Sequence, residues 1–157
     1  MAATPAPGPG DVAAGMPTSL IVQMMYLWTF LACALAVWKG GPAERLGAGV
    51  VFLAAVAPPA VRAIAPAGLS GVVDMAADGL AGVALLLLTL RYGRVWLGVV
   101  MLLFAAQFVL HAVYTVTARP ADLLHARVNN VVFLSVTLSL SVGAILAWRR
   151  RRRAANA

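Results

Sequence analysis

Charge is scarce in this chain, and acidic charge scarcest of all. Five Asp and Glu stand against twelve Lys and Arg in 157 residues, and charged side chains make up 11% of the total. Soluble domains carry about 25%. A water-soluble fold with so few charges would expose broad apolar patches and aggregate, which excludes that class. Cysteine is nearly missing as well. Cys33 stands alone, so no internal disulfide can form, and it reads as a small hydrophobe. The two histidines, His111 and His125, and Cys33 fall into no zinc-binding or haem-attachment spacing. A nucleophile elbow, a P-loop, an HExxH and a dinucleotide fingerprint are all missing. No catalytic residue, metal or cofactor is therefore expected, and an enzyme is the least supported class.

What the chain has instead is grease. Apolar residues make up 62%, and a bilayer removes the penalty of exposing them. The net charge of +7 would by itself fit nucleic acid, but five of the twelve cations form one run, Arg149 to Arg153, directly after an apolar segment ending at Trp148. Such a run is a topology determinant that also attracts anionic headgroups. The expected partner is the lipid bilayer, with no nucleic acid. Eleven Arg to one Lys, with abundant Ala, Val and Gly, suits a GC-rich bacterial genome.

The sequence predicts an all-α integral membrane helical bundle. Residues 1–18, rich in Pro, Gly and Ala, are expected to be disordered and lack the positive region of a cleaved secretory signal. A bundle over 19–148 follows, with five transmembrane helices at about 19–38, 43–61, 72–90, 95–117 and 128–148, each long enough for about 30 Å of hydrocarbon. Residues 149–157 are read as a basic cytoplasmic tail. In the second segment Pro58 and Pro59 are expected to end or kink the helix. The alternative is four spans plus one re-entrant segment.

Orientation follows from counting Lys and Arg. With five spans, one side holds Lys39, Arg45, Arg91, Arg94 and Arg149, Arg150, Arg151, Arg152 and Arg153, nine cations; the other holds Arg62, Arg119 and Arg127. Positive-inside places the C-terminus in the cytoplasm and the N-terminus in the periplasm of a bacterial inner membrane. Arg91 and Arg94 are read as anchors of a short cytoplasmic turn. Trp38, Tyr92, Trp96, Tyr114 and Trp148 sit near helix ends, where amphipathic rings prefer the headgroup zone.

Ionisable groups within spans are costly and point to function. Asp74 and Asp78 are four residues apart on the third helix and share a face; Gln107, His111 and Tyr114 do the same on the fourth. Because consecutive helices run antiparallel, Asp78 and His111 fall at similar depth from the outer surface and can pair. They form a candidate periplasm-facing polar site able to exchange a proton, which Gln23, Asn129 and Asn130 would extend. The simpler alternative is that these groups only satisfy one another at a helix interface. Asp74 alone suits the positive end of its helix dipole. Bis-histidine haem ligation is disfavoured, because His125 is expected in the loop before the fifth helix. Ser135, Thr137, Ser139 and Ser141 spread around their helix and are expected to bond back to the preceding turn or join helices. Gly79 and Gly82, with Ala77, Ala81 and Ala84, give the third helix a close-packing surface.

Several short motifs resemble a family of small, uncharacterised polytopic inner-membrane proteins of alphaproteobacteria. They are the turn Trp38-Lys39-Gly40-Gly41-Pro42-Ala43-Glu44-Arg45, Asp78-Gly79-Leu80, the turn Leu90-Arg91-Tyr92-Gly93-Arg94-Val95-Trp96, Gln107 with His111, and the terminal arginines. The extended N-terminal tail departs from the pattern. The resemblance implies the same topology and polar residues, and carries no known activity. Small size, short loops and the missing catalytic constellation favour an accessory or interaction component, with a membrane-protein partner or a homo-oligomer expected. The rival is a small oligomeric transporter or proton-coupled carrier that uses Asp78 and His111.

Overall fold

The computed structural model describes residues 20–64 and 69–156. The tail expected to be disordered lies outside them. Five helices follow in order: α1 (Leu20–Lys39), α2 (Pro42–Arg62), α3 (Ser70–Tyr92), α4 (Val95–Val116) and α5 (Leu123–Ala155), with no strand among the described residues. All five are long and apolar enough to cross a membrane.

The breaks between helices are chemically marked. Glu44 Oε2 accepts the Gly41 N–H at 2.9 Å, satisfying a donor at the start of α2, and Pro42 follows where a missing N–H costs nothing. Gly93 ends α3 in the left-handed region (φ 59°), where a side chain would be strained, and its N–H bonds Thr89 O. Between α4 and α5, Ala118 takes φ 48° and Asp122 caps α5.

Helices α1 to α5 close into a ring, each packed against its sequence neighbours and α5 against α1, with α2 also touching α5. An odd number of alternating helices in a closed ring leaves one parallel pair of neighbours, and it is α1 with α5. Tyr26 meets Phe133, the Thr29 and Thr137 hydroxyls stand 3.0 Å apart, and Lys39 reaches the Trp148 ring, so contacts advance together along both chains. Ser135, Thr137 and Ser141 also bond back one turn, to Val131, Phe133 and Thr137 carbonyls.

Small residues sit inside and large ones outside. Ala32, Ala36, Ala48, Ala81 and Ala144 are buried, whereas Leu27, Leu53, Leu80, Leu102 and Leu138 are exposed on the outer face. That inversion suits a bundle solvated by lipid, where association relies on close packing and not on apolar transfer. Leu85, Leu97, Val100 and Leu140 are fully buried and fill the middle of the ring. Nearer the arginine-rich end, the Trp96 ring lies against Gly47 and Gly143, where an added Cβ would meet it at 2.6 and 2.7 Å.

Three boundaries differ from the sequence reading. α2 passes through Pro58 and Pro59 to Arg62 as one 21-residue helix, so a re-entrant segment does not describe it. α5 starts at Leu123, five residues before the expected start at Val128, because Asp122 caps it. It also runs on to Ala155 through the arginine run expected to be a tail. Arginine is a good helix former, and 33 residues at about 1.5 Å each outreach the hydrocarbon layer, leaving the last turns to headgroups and water.

Candidate functional site

α4 turns one stripe inward: Leu97, Val100, Phe104, Gln107, His111 and Tyr114 are its buried residues. Its apolar half faces the core, and its polar half faces the end of the bundle opposite the arginine run. There α3 presents Asp78, two turns in from Ser70. Antiparallel adjacency sets the two level, and His111 Nδ1 stands 2.6 Å from Asp78 Oδ2. Both side chains are close to nine-tenths buried, at 10% and 12% exposure. The pair uses only one ring nitrogen; His111 Nε2 has no protein partner among the described residues.

Around this pair lies a cavity of about 220 Å³. α1 contributes Tyr26, and α2 contributes Val51, Ala54, Ala55, Pro58, Pro59 and Arg62. Asp74 and Asp78 come from α3, and Phe104, Gln107 and His111 from α4. α5 supplies His125, Asn129 and a largely apolar wall from Val132 to Thr137. At the mouth Arg62 Nη1 donates to Asp74 Oδ2 at 3.0 Å. Deeper in, Gln107 Nε2 donates to Asn129 Oδ1, while Gln107 Oε1 is buried without a partner. Below the cavity the leucine and valine layer closes the ring.

The connection from α4 to α5 is held by one carboxylate. Asp122 accepts the His125 N–H at 2.9 Å, the Tyr114 hydroxyl at 2.7 Å and Arg119 Nη2 at 2.6 Å. The His125 backbone donor first, then the Tyr114 hydroxyl, pull its pKa down to about 2. The cap sets His125 over the site, its ring centroid 5.1 Å from His111 and 4.7 Å from Tyr114.

Of the candidate residues, the structure brings Asp74, Asp78, Gln107 and His111 to one cavity, with Asn129. Tyr114 is on the same stripe but its hydroxyl goes to Asp122. Gln23, in the first turn of α1, and Asn130, exposed on α5, do not line the cavity. Asp74 pairs with Arg62 and does not act on the helix dipole alone. His125, expected in a loop, occupies the first turn of α5. Arg62, Asp122 and His125 were not singled out as site residues by sequence; the Asp-x-x-His spacing of a helix cap was the available signal. Arg91, Arg94 and Arg149 to Arg153 are exposed at the opposite end. No group of three His, Cys, Asp or Glu suited to a metal occurs among the described residues.

Chemically, the site is a carboxylate–imidazole pair beside a partly polar cavity, with a second imidazole in contact. It can hold a proton, release it, and offer hydrogen bonds to a small ligand. Comparison with protein-family models, curated proteins and solved structures gives no match.

Proposed function

We propose that the chain is a small protein of a bacterial inner membrane, within the family it resembles, that works as a proton-coupled carrier. Its arginine-rich end lies in the cytoplasm, and its cavity faces the periplasm. Nine of the twelve cations at one end support that orientation. The proton is held between Asp78 and His111 and exchanged with the periplasmic side as a small solute enters. One observation carries this: a nearly buried Asp–His pair at 2.6 Å borders a cavity large enough for a solute. A pair serving only to join two helices needs no cavity beside it.

One feature favours the accessory role instead. Val100, Leu97, Leu85 and Leu140 are fully buried beneath the cavity, so it opens to one side only. Transport would require that layer to part, or a second copy to complete the route.

The test is imidazole ¹⁵N NMR of the full chain in lipid nanodiscs. Spectra recorded over roughly pH 5–8 are expected to show the His111 ring exchanging a proton, with a different response in Asp78→Asn. A ring that keeps one protonation state across that range overturns the proposal.

A further inference from the structure

The α2 wall of the cavity has an unusual property. Pro58 and Pro59 lie inside the helix and bring no N–H, so the carbonyls of Ala54 and Ala55 lose the partners four residues on. All four residues line the cavity. In lipid such carbonyls would go unsatisfied; in a polar cavity they are acceptors available to a ligand. Asp78 adds a carboxylate from the neighbouring helix. The wall formed by α2 and α3 is therefore rich in acceptors.

The charges facing Asp78 sharpen the point. From α2 comes Arg62, which is held at the mouth by Asp74 of α3, so those two cancel. From α5 comes His125, and from α1 only the phenol of Tyr26. From α4 comes His111, whose ring, when protonated, is the direct counter-charge of Asp78 and, unlike an arginine, can give its proton up. An entering cation and the imidazolium proton thus compete for one carboxylate. The rest of the lining decides what kind of cation. Tyr26, Phe104 and Phe133 present aromatic rings, which attract organic cations and shelter alkyl groups, and about 220 Å³ exceeds what a bare metal ion fills.

We propose that the cavity binds a small alkylammonium ion against Asp78 and the freed Ala54 and Ala55 carbonyls, in exchange for the proton on His111. This rests on the proton-handling role above and names its solute class. The balance is simple: the ammonium enters with its charge, its N–H groups bond to the carboxylate and carbonyl oxygens, and the imidazolium releases one proton to solvent.

The test uses the full chain in nanodiscs and propylammonium chloride, followed by titration calorimetry in two amine-free buffers of different ionisation heat. Binding is expected to release about one proton, and to tighten by up to about tenfold per pH unit while His111 is protonated. Asp78→Asn is expected to abolish it. The Pro58→Ala/Pro59→Ala variant restores two helix N–H donors, so it is expected to weaken binding by about tenfold or more while leaving the protein at least as heat-stable. Sodium propionate binding in place of propylammonium, or sodium ion competing equally with it, overturns the solute class. So does an absence of propylammonium binding while His111 still titrates by NMR. If His111 does not titrate, the underlying proton role fails first.

Discussion

His111 and Asp78 hold each other in a place where neither is comfortable alone. Removing one leaves the other desolvated, a loss of about 3–5 kcal/mol in a dry soluble core. Here the cavity brings water close, and hydrogen bonds between membrane helices average well below about 2 kcal/mol. The wetter limit governs, so His111→Ala is expected to lower stability by about 1–2 kcal/mol in a detergent unfolding titration. The double variant Asp78→Ala/His111→Ala should lose less than the sum of the singles, since the second removal deletes a group already unpaired. Additive losses would show that the two do not interact. Asp122 makes a different prediction. Its pKa is pulled down to about 2 by donors that favour the charged form, against about 3.9 in an unfolded chain. The stabilisation it gives is complete above that unfolded value and disappears as pH falls through the folded one. Hydrogen exchange at the His125 amide should therefore stay slow down to about pH 4 and lose its cap protection toward pH 2, whereas Asp122→Ala shows the unprotected rate at neutral pH. These two sites also mark what sequence could convey. Helical spacing alone put Asp74 with Asp78, and Gln107 with His111, on shared faces. Asp122 and Arg62 lie at helix ends beyond the apolar runs, and their partners depend on how a turn folds, which spacing does not encode.

Helix α5 shows why apolar length locates a span better than it locates a helix. Hydropathy ends at Trp148, but hydrogen bonding does not, and Arg152 stacks over Trp148 at 4.5 Å one turn later. α2 shows the converse. Two prolines normally stop a helix because carbonyls are left bare; here the residues that carry those carbonyls line a polar cavity, and the helix carries on to Arg62. The second outcome is not visible without the neighbouring elements. Close packing gives the prediction at this scale. Trp96 occupies space made by Gly47 on α2 and Gly143 on α5, with contacts to an added Cβ under 3 Å from both sides. The indole is a large rigid ring wedged between the two glycines, so it cannot shift at no cost. Gly143→Ala is expected to destabilise by about 1–3 kcal/mol through overpacking. Combining it with Trp96→Ala should cost less than the two losses added. Equal thermal stability of Gly143→Ala and the parent would show that the ring has room to move.

At the scale of the whole molecule, five helices in a ring put carboxylate, imidazole, amide, guanidinium and phenol groups at one end and a belt of cations at the other. Helical content and span number were readable because hydrocarbon thickness fixes helix length; the parallel α1–α5 contact was not, because only ring closure requires it. Orientation then decides which compartment reaches Asp78. Of the cations, four at the arginine-rich end, Lys39, Arg45, Arg91 and Arg94, lie in or beside the two short turns, and five lie in the run after Trp148. Single cysteines report this directly, since native Cys33 is buried and can be replaced by Ala. In intact bacterial cells Ala121→Cys, in the exposed α4–α5 connection, should react with a membrane-impermeant maleimide, and Ala154→Cys only after permeabilisation. Changing Arg149 to Arg153 to Gln leaves four cations against three, a bias too small to orient the chain strongly. Both cysteines should then be labelled from outside in separate fractions of a mixed population. Retention of a single orientation would mean that the turns alone set topology. Labelling of Ala154→Cys from outside in the unaltered arginine background would instead turn the cavity toward the cytoplasm, and the periplasmic proton exchange would fail with it.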